Sequence, residues 1–137
     1  MDFKLSQRSL LRLEGVDDRM IELAQRSISK SPIDFGIPEY GGLRTVGDQQ
    51  ELYKKGVTKC DGIKKKSRHQ SGMAFDVYAY LNGKASWDAI HLAIIAGVIL
   101  SEAKAMGLNV IWGGTFGSKI FKGWDKPHFE LIDNIIN

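Results

Sequence analysis

The chain has 137 residues and a mass of 15.3 kDa, with 43% hydrophobic and 26% charged residues. That length can bury a sizeable core without disulfides, and that composition excludes a long disordered chain, a collagen and a disulfide mini-scaffold. A net charge of +3, with an isoelectric point near 9.0, is too small for a dedicated nucleic-acid binder, although it suits an anionic surface or substrate.

The single cysteine, Cys60, rules out an intrachain disulfide and a Cys-rich zinc finger. The first residues lack a basic region followed by an apolar stretch, so no conventional secretory signal is expected. The longest uninterrupted apolar run, 92–100, is far below the roughly 18 residues that span a bilayer. The expectation is a soluble chain made in the cytoplasm, with no stable membrane insertion. If it works outside the cell, something else must release it.

No repeat, low-complexity segment or linker is visible, so one domain over 1–137 is expected. A first helix is predicted over 17–30. Asp17 or Asp18 caps it, Met20, Ile21, Ala24 and Ile28 fall at helical spacing, and Ser31-Pro32 ends it. A strand and turn follow over 37–44, then a helix over 46–55 that stops before Gly56. Residues 59–71 form a polar, basic loop. A strand over 73–80 directs Phe75, Val77 and Ala79 to one side. After a turn at 81–84, Ser86 or Asp88 caps a long helix that runs to Met106, where Gly107 stops it. That helix is apolar almost all round and is expected to be the buried centre of the fold. A strand over 109–112, a Gly-rich loop over 113–123 and a strand over 128–132 complete the chain. Helices and strands do not alternate as βαβ units, so the class is α+β, with a small antiparallel sheet packed against helices.

His69 and Asp76 can share one metal only if the chain bends between them. Fully extended, seven residues span about 23 Å, and zinc bonds are about 2.0–2.2 Å. Ser71-Gly72 supplies the bend, placing His69 in a loop and Asp76 on the strand that follows. There Asp76 points opposite to Phe75 and Val77, and a carboxylate inside an apolar strand needs a partner. His128 is the third candidate ligand. Phe129 then faces the core, and Glu130 returns to the side of His128, where it can orient the ring. Two histidines and one aspartate leave a zinc position open, as catalytic sites do. Asp125, three residues before His128, is the candidate general base.

Other residues have plainer readings. His91 lies inside the long apolar helix and is read as structural. Cys60 has no partner that would make it a nucleophile. Lys64-Lys65-Lys66 with Arg68 reads first as a solvated loop, and otherwise as a surface attracting an anionic wall polymer or substrate carboxylate.

The joint pattern Ser67-x-His69-x-x-Gly72-x-Ala74-x-Asp76, followed by Asp125-x-x-His128-x-Glu130, resembles the D-alanyl-D-alanine metallocarboxypeptidase family. That family includes the VanY-like carboxypeptidases and the L-alanyl-D-glutamate endopeptidases of tailed phages. Gly42-Leu43-Arg44-Thr45 with Gln49-x-x-Leu52-Tyr53 looks like its arginine segment, and Trp112-Gly113-Gly114 like the strand before its last zinc ligand. The resemblance covers roughly 38–131 and favours the phage endolysin branch. It implies a VanY-like or Hedgehog-like peptidase fold with one catalytic zinc at the sheet. It implies His69, Asp76 and His128 as zinc ligands, Asp125 as the catalytic acidic residue, and Arg44 as the contact for the substrate carbonyl or oxyanion. Ser67, Gln49 and Trp112 match positions near the substrate.

The function so implied is cleavage of the L-alanyl-D-glutamate bond in peptidoglycan stems during host lysis. The partners implied are peptidoglycan and, for a phage lysin, a holin-type pore. The chain is expected to be a monomer that binds no nucleic acid. Three other readings stand beside it: a D-alanyl-D-alanine carboxypeptidase, a zinc-containing wall-binding module without catalysis, and a small nucleic-acid binder using the basic loop. The presence of both Asp125 and Arg44 argues against the module.

Overall fold

The computed structural model describes residues 2–115 and 125–132. The elements run α1 (Gln7–Arg12), α2 (Asp18–Lys30), β1 (Asp34–Gly36), α3 (Val46–Lys54), β2 (Ala74–Asp76), β3 (Tyr78–Leu81), β4 (Lys84–Ser86), α4 (Ala89–Ala105), β5 (Val110–Trp112) and β6 (His128–Leu131). The class is α+β, as expected, but the described strands form two small sheets. One has the order β1-β3-β4 and the other β2-β6-β5, and every pairing is antiparallel.

The expected single strand over 73–80 therefore divides. Its first half, β2, pairs with β6, and its second half, β3, pairs with β1 and β4. Val77 stands at the junction, where its N–H donates to the Pro127 carbonyl at 2.9 Å. The alternation of side chains continues through the junction, because Phe75, Val77 and Ala79 are all fully buried. Only the partner strands change.

The strand expected over 37–44 is displaced to Asp34–Gly36. Pro38 has no N–H for a ladder, and its carbonyl instead accepts from Gly41 N–H at 2.9 Å, which turns the chain. α1 precedes the first helix expected from sequence. Ser6 caps it by accepting from Ser9 N–H at 3.1 Å. The glycine-rich stretch expected as a loop over 113–123 begins with a 3-10 turn at Gly113–Thr115, and the rest lies outside the described residues.

Met20, Leu23, Ala24 and Ile28 of α2 pack with Leu92, Ile95, Ala96 and Ile99 of α4, and α4 packs on β3 and β5. α4 does not lie buried all round. One face enters the core, while Ile90 is 70% and Ile94 42% exposed. Its sequence has no polar stripe to announce which face is covered. Glu102 is buried on the covered side, where Arg26 at 2.8 Å and Lys30 at 2.9 Å neutralise it. His91 Nδ1 lies 2.7 Å from the Ser86 hydroxyl, which ties the start of α4 to β4.

Phe75 and Phe129 face each other across β2 and β6, with ring centroids 5.7 Å apart. Each is fully buried and contributes on the order of 2 kcal/mol by removal from water. This pair fixes the register. A slip of one residue in either strand would put that strand's ring on the outer face. The same register sets Asp76 directly opposite His128.

Candidate metal centre and active-site cleft

Directly opposed residues in an antiparallel pair project to the same side. Asp76 and His128 thus meet on the face away from Phe75 and Phe129. His69 arrives from a short 3-10 turn, Arg68–Ser71. Ser67 caps that turn by accepting from His69 N–H at 3.2 Å, and Gln70 closes it by accepting from Ser67 N–H at 2.9 Å. Gly72 ends it with φ 72°, a left-handed conformation open to glycine. The bend expected at Ser71-Gly72 is thus present, and it returns the chain into β2.

Three atoms converge here. His69 Nε2, His128 Nδ1 and Asp76 Oδ1 each lie 3.1 Å from the other two. Among the described residues, this is the group of histidine, cysteine and carboxylate donors close enough to share one metal ion. A tetrahedral zinc with bonds of about 2.0–2.1 Å separates its ligands by about 3.3 Å, so the triangle fits with little adjustment.

The proton positions strengthen the fit. His69 Nδ1 lies 2.9 Å from the Gly42 carbonyl, which can only accept, so Nδ1 carries the proton. His128 Nε2 lies 2.7 Å from Glu130 Oε1, so in the neutral ring that nitrogen carries the proton. The two remaining ring nitrogens and Asp76 Oδ1 then direct three lone pairs at one point. A cation satisfies all three at once.

Without a metal, a proton takes its place. Burial alone would lower His128, but hydrogen bonds to Asp76 and Glu130 outweigh it and raise the ring to about 10. Burial alone would also raise Asp76, but the charges and hydrogen bonds of His69 and His128 hold it well below the usual carboxylate range. Its other oxygen, Oδ2, lies 3.3 Å from Arg44 Nη2.

Arg44 is itself held in place. Its Nε donates to the Tyr40 carbonyl at 2.8 Å, and its Nη1 donates to Gln49 Oε1 at 3.1 Å. Gln49 is fully buried, and its amide donates to the Cys60 carbonyl at 2.9 Å. Gln49, expected near the substrate, thus stands behind Arg44 rather than on the cleft wall. Arg68 reaches from the same turn to the Leu131 carbonyl and lies 3.9 Å from Glu130, the residue that orients His128.

Asp125 stands beside the triangle rather than in it. Its Oδ2 is 3.9 Å from His128 Nδ1. Burial and the neighbouring Asp76 charge push its carboxyl above the ordinary value, against the opposing pull of His128. Its position depends on Gly113, where a Cβ would lie 1.8 Å from the Asp125 carbonyl oxygen. Trp112 supports the same turn by donating its indole N–H to the Lys126 carbonyl at 2.5 Å. It does not line the cleft.

The cleft holds about 260 Å³, and Arg44, Ser67, His69, Asp76, Asp125 and His128 all line it. The sequence reading therefore names every one of these six. The groups that fix them are the Gly42 and Tyr40 carbonyls, which any residue could supply and no sequence pattern marks, and Gln70. The Ser67-x-x-Gln70 spacing is a capping-box signature that could have revealed Gln70.

The family model of the phage L-alanyl-D-glutamate peptidases matches residues 1–132. The chain belongs to this family. One relative is the L-alanyl-D-glutamate peptidase of Escherichia phage T5, 29% identical over 140 residues, which span 96% of this chain and 100% of that protein. Another is the peptidoglycan L-alanyl-D-glutamate endopeptidase CwlK of Bacillus subtilis strain 168. It is 34% identical over 113 residues, which span 74% of this chain and 63% of that protein. Among solved structures, the L-Ala D-Glu endopeptidase ChiX of Serratia marcescens superposes with a TM-score of 0.80 at 31% identity. That match covers 96% of this chain and 91% of the other. Membership agrees with the resemblance read from the two motifs and with its phage branch.

Proposed function

We propose that this protein is a zinc-dependent peptidoglycan hydrolase that cleaves the L-alanyl-D-glutamate bond of stem peptides, as a phage-type endolysin. The observation that carries the reading is the convergence of three lone pairs, from His69, Asp76 and His128, in a cleft that also presents Asp125 and Arg44. A structural site needs neither of the last two.

His69, Asp76 and His128 would hold the zinc. A zinc ion held there supplies Lewis-acid polarisation of the scissile carbonyl and a water of lowered pKa. Asp125 takes a proton from the attacking water and delivers it to the D-glutamyl nitrogen as the C–N bond breaks. Its raised pKa suits it to give that proton back. Arg44 presents its guanidinium to the cleft and stabilises charge developing on the alanyl oxygen, a contribution of about 3–4 kcal/mol for one such donor. Gln49 and the Tyr40 carbonyl hold Arg44 in that orientation, and Ser67 offers a hydroxyl on the wall beside His69.

The protein acts on the cell wall as a monomer after release from the cytoplasm, with a holin-type pore as the route. No described helix is long and apolar enough to cross a membrane. Digestion of purified peptidoglycan, with mass spectrometry of the products, tests the reading. New amino termini at D-glutamate or its amidated form, lost with a chelator and restored by zinc, are expected. Release of free D-alanine would make it a carboxypeptidase instead, and no cleavage by zinc-loaded protein would leave a binding module.

A further inference from the structure

The basic loop takes no part in the chemistry above, yet it forms one wall of the cleft. Lys65 and Lys66 line the same cavity as His69, Asp125 and His128. The loop is tied down. Asp61 accepts from the N–H groups of Ile63, Lys64 and Lys65, each at 3.0 Å. Gly62 N–H donates to the Lys65 carbonyl at 3.1 Å. Gln70, next to His69, donates to the Gly62 carbonyl at 3.0 Å. Gln49, which holds Arg44, donates to the Cys60 carbonyl at 2.9 Å. The backbone carrying the two lysines is thus fixed relative to both the metal site and Arg44.

The two arginines of the cleft stand against its carboxylates. Arg44 pairs with Asp76, and Arg68 faces Glu130, which is bonded to His128. Among the described residues, no acidic side chain lies within 4.0 Å of the ammonium group of Lys65 or Lys66. The cleft wall thus carries two positive charges with no acidic partner among the described residues. In the proposed substrate, the carbon attached to the scissile nitrogen bears a carboxyl group. It is negative when free and neutral when amidated. Lysine ammonium groups discriminate between these two forms by charge.

We infer that Lys65 and Lys66 form the subsite for this α-carboxylate and give the enzyme a preference for D-glutamate over D-isoglutamine at the position after the cut. The inference rests on the proposed L-alanyl-D-glutamate specificity. Both side chains are exposed, so the double variant K65Q/K66Q is expected to fold.

The test compares kcat/KM on two muramyl peptides that differ only in a carboxylate or a carboxamide at that carbon. The wild-type protein favours the carboxylate by roughly three- to tenfold, the scale of one or two exposed ion pairs. The preference resides mainly in KM and shrinks as salt rises. In K65Q/K66Q the ratio falls close to one. In K84Q/K104Q, which removes the same charge elsewhere on the surface, the wild-type ratio is kept. Equal rates on both peptides in the wild type, or an unchanged ratio in K65Q/K66Q, would overturn the subsite. Equal loss in K84Q/K104Q would also overturn it, by showing long-range attraction to net charge. Cleavage of neither peptide would overturn the L-alanyl-D-glutamate reading itself, and the inference with it.

Discussion

The two three-stranded sheets are built alike and serve different ends. Both are antiparallel, both take a strand from the run 74–81, and both turn one face to the core. In the β1-β3-β4 sheet, the other face meets solvent. Tyr80 is 44% and Trp87, just after β4, 53% exposed. In the β2-β6-β5 sheet, the other face is roofed by the 3-10 turn at Arg68–Ser71 and by the segment that carries Arg44. Asp76 and His128 would be ordinary outward residues without that roof. With it they lose water and gain His69, Arg44 and each other as partners. The roof over one sheet turns a cross-strand pair into a buried, coupled cluster of ionisable groups.

If the roofed face alone carries the chemistry, substitutions there should be severe. His128→Ala should abolish zinc binding and reduce turnover by more than the ~10²–10⁴-fold that proton transfer alone supplies. Elemental analysis and peptidoglycan digestion check this, and normal zinc content would refute His128 as a ligand. Asp125→Asn should keep one zinc and the fold but lower kcat by about 10²–10⁴-fold. Full activity in that variant would remove Asp125 from the mechanism.

Glu130→Gln probes the support of the roofed pair. It keeps size but loses the charge that orients the His128 ring, so zinc affinity should fall by about 10- to 100-fold. Competition with a chromogenic chelator measures it.

The pH dependence of the metal-free protein probes the same ring. His128 is raised from 6.5 to about 10 in the folded, metal-free state. Such a group contributes stability that is fully present below its unfolded value and is lost as pH rises through the folded one. The melting temperature of chelator-stripped protein should therefore fall between pH 7 and 10. The zinc-loaded protein, whose ring must be neutral to bind metal, should lack that component. Parallel profiles for the two forms would contradict the assignment.

The smallest effect belongs to the open sheet. Tyr80→Thr should leave turnover unchanged and alter stability by no more than about 0.5 kcal/mol. A large loss of activity would mean that this face takes part after all.

Much of the centre was legible because strand periodicity and ligand chemistry constrain each other. Phe75 and Phe129 had to face inward, which forced Asp76 and His128 outward together, and Ser71-Gly72 announced the bend that returns His69 to them. The split of the run at Val77 was not legible, because alternation continues while the partner strands change. α4 carried no polar stripe, so its exposed face could not be read. Gln49 and Trp112 were expected near the substrate. Their surroundings come from distant parts of the chain, the Cys60 and Lys126 carbonyls, which no local spacing reveals.

The most direct test is a zinc titration of chelator-stripped protein, followed by cleavage at L-alanyl-D-glutamate, for the wild type and Asp76→Asn. Wild-type activity should rise linearly from near zero to a break at one equivalent, with no comparable rise in the variant. Full activity in stripped protein, or restoration of Asp76→Asn at one equivalent, would contradict a catalytic zinc held by His69, Asp76 and His128.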